Sequence, residues 1–141
     1  MDYARPLLCP SAQPEMTGPR LIGVVERTSA GPRVIYLNEV VTVTKEVLDE
    51  TQPAPPAAIF RIAATCEERS CTHFNGVRCQ LATRIVDLLP PVVDRLPSCS
   101  VRSACRWFHQ EGGEACVRCP QVVTESQTAS PEYIKAAQPG D

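Results

Sequence analysis

Short, largely hydrophobic runs, of which the one at 40–44 alternates with polar residues, dominate the first half of the chain and predict β-strands. These runs lie at 21–27, 33–37, 40–44 and 58–64. A turn at 28–32 separates the first two runs, and a stiff proline-rich stretch at 52–56 precedes the last. The first three runs predict a small antiparallel β-meander, and the fourth predicts a further strand that leads to Cys66. The apolar face of the meander has to pack against the cysteine-bearing segment that follows it.

The second half carries one clear helical pattern. Apolar residues recur at helical spacing from Gln80 to Leu89, and Pro90 ends the run. Cys79 therefore precedes a helix N-terminus, where backbone N–H groups and the helix dipole favour a thiolate. After this helix the pattern predicts loops, a turn at 112–113 and a short strand at 121–124.

The whole chain of 141 residues predicts one compact, small α+β domain. Residues 1–19 form an extended N-terminal arm carrying Cys9, and residues 20–65 form a β-rich segment. Residues 66–124 form a loop-dominated, cysteine-rich metal-binding segment with one short helix, and residues 125–141 form a flexible tail. A short helical turn beginning at Ser130 is predicted within the tail.

Composition predicts a modest core, because aromatic residues make up 5% of the chain and prolines number 14. Such a chain is stabilised by a metal or a covalent staple. The net charge of −2 gives no strong attraction to nucleic acid, and no apolar stretch is long enough to cross a membrane. The N-terminus lacks the pattern of a secretory signal, so we expect a cytoplasmic protein whose thiols stay reduced.

Eight cysteines carry the chemical signal, and seven of them lie between 66 and 119 together with both histidines. Their spacing predicts two sites of four ligands. One site consists of Cys99, Cys105, Cys116 and Cys119, and the other of Cys66, Cys71 and Cys79 completed by Cys9 in preference to His73. His73 and His109 are the secondary candidate ligands.

The irregular spacing of these cysteines favours iron–sulfur over zinc. Zinc sites usually draw on two C-x2–4-C knuckles, and this chain has one, at 116–119. Cluster irons are spread out and can be reached from separate loops. Cys9 and Cys119 each precede a proline, a step that is similar to one at cluster ligands of bacterial ferredoxins. Zinc and a disulfide framework stay as alternatives.

Two histidine motifs are incomplete. Cys71-x-His73 matches the first half of a Rieske motif, but the second half needs C-x2-H. The spacing from Cys99 to His109 matches the end of a C-x8-C-x5-C-x3-H zinc finger, whose upstream cysteine position is Pro90 here. We therefore predict that both histidines are hydrogen-bonding neighbours of the site.

Other residues near the cysteines have structural interpretations. Trp107 and Phe108 are predicted to seal a small core, since aromatic residues are scarce. The arginines between the ligands are predicted to offset thiolate charge. These are Arg102, Arg106 and Arg118. The neighbouring glutamates are predicted to be exposed loop charges.

These patterns predict a small cytoplasmic iron–sulfur protein with one or two 4Fe–4S clusters, acting in electron transfer or redox sensing with a protein partner. A phosphate loop, an H-E-x-x-H motif and a C-x3-C-x2-C motif are absent from the sequence, which favours an accessory protein over an enzyme. The alternative is a zinc-stabilised adaptor without redox chemistry. A weaker third hypothesis is an enzyme with an open metal position. In each case metal binding is expected to order residues 66–119.

Overall fold

The computed structural model describes residues 6–125 and 131–138. Its four strands form one antiparallel sheet in the order β1-β4-β2-β3. The strands are β1 (Leu8–Cys9), β2 (Arg20–Thr28), β3 (Gly31–Thr42) and β4 (Phe60–Thr65). Together with several short helices they make a small α+β fold, as the sequence predicted.

The order of the strands differs from the predicted meander. β2 and β3 form a hairpin, but β4 returns to the other side of β2. The run predicted at 33–37 and the first three residues of the run predicted at 40–44 belong to the single strand β3, which ends at Thr42. Its pairing slips between them, because Tyr36 lies opposite Gly23 whereas Val41 lies opposite Leu21.

The N-terminal arm extends the sheet beyond β4. Leu8 pairs with Thr65, Cys9 pairs with Ala64, and the amide of Cys66 donates to the carbonyl of Leu7 at 2.9 Å. A strand of two residues is too short to show a periodicity in the sequence. Its pairing with β4 is therefore a tertiary contact that local sequence does not encode. It places the arm beside the start of the cysteine-rich segment.

The helices are α1 (Lys45–Asp49), α2 (Pro56–Ile59), α3 (Gln80–Leu88), α4 (Arg106–Glu111), α5 (Gly113–Cys116) and α6 (Pro131–Ala137). Single 3-10 turns span Glu68–Ser70, Arg102–Ala104 and Cys119–Gln121.

The helix predicted at 80–89 is confirmed as α3, but the region predicted as loops after residue 98 contains α4 and α5. These helices have six and four residues, too few for a periodic signal. The strand predicted at 121–124 is wrong, because a 3-10 turn overlaps its start and its remaining residues form no strand. Ser130 lies outside the described residues, and α6 begins at the next residue.

The core of the helical part surrounds Trp107, which is 1% exposed. Buried side chains from α3, α4, α5 and α6 pack in the same cluster, which confirms the predicted sealing role of the tryptophan. One face of the sheet, with Ile22 and Ala63, packs against Val101. The cysteine-bearing segment thus covers the sheet, as predicted. None of the helices in the described ranges is long and apolar enough to cross a membrane.

Candidate metal centre

The eight cysteines line two cavities in groups of four. The first quartet lines a cavity of about 270 Å³ and consists of Cys9, Cys66, Cys71 and Cys79. The second quartet lines a cavity of about 20 Å³ and consists of Cys99, Cys105, Cys116 and Cys119. All eight thiols are free, so no disulfide joins them. This grouping agrees with the two sets expected from spacing, while their metal binding stays a prediction.

The first quartet is assembled where the sheet meets α3. The pairing of β1 with β4 brings Cys9 to Ala64, two residues before Cys66. Cys71 follows a 3-10 turn, and Cys79 is the N-cap residue of α3. The loop between them is closed by the amide of Gln80, which donates to the carbonyl of His73 at 2.7 Å.

The second quartet is assembled from one continuous stretch of chain. Cys99 precedes a 3-10 turn, and Cys105 ends that turn and caps α4. Cys116 ends α5, and Cys119 begins the last 3-10 turn. Gly112, with a φ of 70°, lets the chain reverse between α4 and α5, a conformation that favours glycine.

Each quartet therefore contains one cysteine at a helix N-terminus. Cys79 and Cys105 have nearly the same backbone conformation, with φ and ψ of −79° and 114° in the former and −77° and 126° in the latter. Burial raises the pKa of Cys105 to about 12, and the backbone N–H groups of Trp107 and Phe108 act in the opposite direction. Burial likewise raises the pKa of Cys79, opposed by amides of the first turn of α3.

Burial acts on further members of the quartets. Burial, with a smaller contribution from the negative charge of the other three first-quartet cysteines when ionised, raises the pKa of Cys9 to about 12. Burial also raises the pKa of Cys116. Thiolates are stable in such surroundings when positive charge is close, from a metal or from a cationic side chain.

The most buried positive charge belongs to Arg61 of β4, whose side chain is 0% exposed. Its Nη2 donates to the sulfur of Cys119 at 2.8 Å, and its Nη1 donates to the carbonyls of Cys119 and Val122 at 2.9 Å each. Its Nε donates to the carbonyl of Pro10 at 2.7 Å. Within the described residues no carboxylate forms an ion pair with it.

Sequence analysis missed Arg61. The available signal was a lone charged residue inside an apolar strand, between Phe60 and Ile62. A buried guanidinium requires a buried acceptor or anion, so its position pointed to a polar site behind the sheet.

Two of the three arginines predicted near the ligands lie in the cavities. Arg106 lines the first cavity, lies beside the Cys66 thiol and forms an ion pair with Glu68 at 2.7 Å. Arg102 lines the second cavity and lies beside Cys116. The guanidinium of Arg118 instead donates to the carbonyl of Leu89 and to Glu114.

The two histidines make hydrogen bonds, as the sequence predicted. His73 lines the first cavity, and its Nδ1 accepts from Nη2 of Arg84 at 2.8 Å. Burial lowers the pKa of His73, and the charge of Arg84 lowers it further, so the imidazole is neutral. Nε2 of His109 donates to the carbonyl of Ser103 at 2.6 Å, and His109 lines neither cavity.

Trp107 separates the two cavities and lines both of them. The guanidinium carbon of Arg61 lies 5.7 Å from the centroid of its ring. Its Nε1–H is buried and has no hydrogen-bond partner in the described part of the chain. The wall between the quartets is thus an aromatic ring with a cation against it.

Among residues 6–125 and 131–138, no three His, Cys, Asp or Glu side chains converge closely enough to hold a single metal ion. Comparisons of the chain with protein-family models, with curated proteins and with solved structures find no significant match.

Proposed function

We propose that this protein is a small iron–sulfur protein whose cysteine quartets ligate one or two 4Fe–4S clusters, and that it works in electron transfer or redox sensing with a protein partner. The observation that carries the proposal is the contact between Arg61 and Cys119. A fully buried guanidinium needs buried acceptors or an anion, and besides three backbone carbonyls it donates to the sulfur of Cys119, at 2.8 Å. That sulfur lies in a cavity with three more cysteine sulfurs.

The donor sets of both quartets, and the space in the first cavity, support a cluster. Thiolates are the ligands that iron–sulfur clusters use, and each quartet provides the four that a 4Fe–4S cluster needs. One water needs about 10–15 Å³ of cavity volume. The first cavity, at about 270 Å³, therefore has room for a group much larger than a single ion.

Residues around the quartets suit a redox centre shielded from water. Bound clusters of this kind supply a one-electron couple at irons whose coordination is complete. Trp107 and Ile85 form apolar parts of the first cavity wall and exclude solvent. The guanidiniums of Arg61, Arg102 and Arg106 oppose the negative charge that four thiolates bring.

One observation favours a second candidate function, a zinc-stabilised adaptor. The second cavity measures about 20 Å³, and the C-x2-C knuckle at 116–119 belongs to its quartet. Such a knuckle is typical of a tetrahedral ion site. The thiols do not converge on one point in the described residues, so an ion would have to draw them together, and it would order the loops without redox chemistry.

Anaerobic purification separates the two functions. The proposal predicts a brown protein with broad visible absorption and equal amounts of iron and acid-labile sulfide. Cys71→Ser and Cys116→Ser should each remove the metal of one quartet, and Ser70→Ala, an exposed neighbour of Cys71, should leave iron unchanged. A colourless protein that contains zinc would refute the iron–sulfur proposal in favour of the adaptor.

A further inference from the structure

Cys116 and Cys119 form the C-x2-C pair of the second quartet. Cys116 ends α5, and Cys119 begins a 3-10 turn. Val117 and Arg118 between them both have right-handed helical backbone angles. Side chains three residues apart on a helical turn share a face, with Cβ atoms about 5–6 Å apart, and a disulfide needs about 3.5–4.5 Å. A local adjustment of about 1–2 Å therefore lets the two sulfurs bond.

The second cavity suits a bond between two sulfurs, because such a bond needs no additional space. The cavity measures about 20 Å³, and a single water already needs about 10–15 Å³. In the described ranges no three of its cysteines converge on a single metal ion. The joining of two thiols requires neither a bound group nor a third ligand.

Access distinguishes this pair from the other cysteines of the quartet. Cys105 is 7% exposed and lies at the N-terminus of α4, in the core around Trp107. Cys116 and Cys119 are only half-buried, so a small molecule can reach them. Cys99 is half-buried too, but the whole of α4 and α5 separates it from Cys119 along the chain. Cys116 is therefore the favoured partner of Cys119.

Each sulfur of the pair has an arginine of its own. Nη2 of Arg61 donates to Sγ of Cys119 at 2.8 Å, and Arg102 lies beside Cys116. Arg61 is fully buried, so its charge acts through a lower dielectric than that of water. Cationic groups stabilise the anionic sulfur that attacks in thiol–disulfide exchange, and they lose this partner when a neutral disulfide forms. The two arginines therefore favour the reduced pair and make its disulfide easy to reduce again.

We infer that Cys116 and Cys119 are a reversible thiol–disulfide exchange site, with Arg61 favouring its reduced form, and that its co-reactant is a low-molecular-weight disulfide such as oxidised glutathione. Deprotonated Cys119 attacks one sulfur of the small disulfide, forms a mixed disulfide and releases one small thiol. Sγ of Cys116 then attacks Sγ of Cys119 and releases the second small thiol. The protein loses two electrons and two protons, and the small disulfide gains both.

This inference goes beyond the proposed function and does not rest on it, since the exchange needs neither iron nor zinc. A metal at the second quartet and the disulfide use the same two sulfurs, so oxidation displaces any such metal. The four cysteines of the first quartet take no part in the step.

Peptide mapping of the full-length protein tests the site, after anaerobic purification and equilibration with mixtures of reduced and oxidised glutathione. Free thiols are then alkylated, and the denatured chain is digested with trypsin. Cleavage after Arg118 places Cys116 and Cys119 on separate peptides, 107–118 and 119–135, which contain one cysteine each. Mass spectrometry of wild-type protein should find these two peptides joined, and dithiothreitol should separate them.

Arginine variants test the effect of the charge. Arg61→Gln should reach half-oxidation at about a tenfold lower proportion of oxidised glutathione, since the reduced pair loses a hydrogen bond from a charged group. Arg84→Gln is the matched control, because the Arg84 guanidinium donates to Ala136 and His73 instead of a cysteine sulfur. It should match wild type.

Cys116→Ser provides a measurement that does not depend on the folding of the Arg61 variant. Cys119 should then retain one glutathione, because the sulfur that resolves the mixed disulfide is gone. Wild-type peptides that stay separate at every glutathione ratio, or Cys119 joined to Cys99 or Cys105, would overturn the inference. Cys119 without glutathione in Cys116→Ser, or equal half-oxidation points of Arg61→Gln and wild type, would overturn it as well. Iron content, measured on the same protein, decides the proposed function separately.

Discussion

The side-chain amide of Gln110 in α4 forms hydrogen bonds with both the backbone N–H and the backbone C=O of Cys79. Its Oε1 accepts from the backbone N–H of Cys79 at 2.8 Å, and its Nε2 donates to the carbonyl of Cys79 at 2.7 Å. These two hydrogen bonds resemble the pair that two opposite residues exchange in an antiparallel β-sheet. They tie the helix that follows Cys105 of the second quartet to the N-cap cysteine of the first.

Replacing Gln110 by alanine should therefore destabilise the fold by about 1–3 kcal/mol, because it removes the acceptor of the Cys79 N–H and leaves the Cys79 carbonyl with the longer bond from Thr83. Urea unfolding of the metal-loaded protein measures this loss. Gln110→Glu retains the acceptor and removes the donor, so it should fall between wild type and Gln110→Ala. Equal stability of all three would show that water replaces the glutamine at no cost.

Cys9→Ser should lower metal content as much as Cys71→Ser does, because both sulfurs line the first cavity and Cys9 is held there by the pairing of β1 with β4. His73→Ala should leave metal content near the wild-type value, since Nδ1 of His73 already accepts from Arg84. Metal analysis of the three variants is the measurement. If His73→Ala loses metal and Cys9→Ser keeps the wild-type metal content, the histidine is the fourth ligand of the first quartet.

Trp107→Ala should cost about 3–5 kcal/mol of unfolding free energy, since it removes the largest fully buried side chain and opens a cavity between the quartets. Trp107→Phe retains an aromatic ring and should cost less. Phe108→Ala is a neighbouring comparison in the same helix, at a partly buried position. Denaturant unfolding followed by circular dichroism ranks the three. A loss below about 1 kcal/mol in Trp107→Ala would show that the core can close around the gap.

Removal of metal should open the cysteine-rich segment to trypsin in a defined order. Arg69 and Arg78 are exposed in loops of the first quartet, so cleavage should begin there. Arg102 and Arg118 are half-buried and hydrogen-bonded to backbone carbonyls, so they should be cut later. Mass spectrometry of a digestion time course, with and without chelator, gives the order. Equal resistance of apo and holo protein would show that the packing around Trp107 orders this segment without metal.

The features that the sequence determined by itself are local ones. Helix α3 and strand β2 are long enough for their apolar residues to repeat at a recognisable period. The spacing of the cysteines also predicted the second group and three members of the first, because short loops restrict which thiols can meet. Iron–sulfur binding was predicted from the same spacing and awaits measurement.

Tertiary structure alone decided the features that depend on contacts between distant segments. The position of β4 beside β2, and of Cys9 beside Ala64, follows from pairing across more than thirty residues, which local pattern does not encode. Arg61 gives the clearest case. In the sequence it is one charge in an apolar strand, and only the packing of the Cys119 turn behind the sheet supplies the sulfur and the carbonyls that accept its hydrogen bonds.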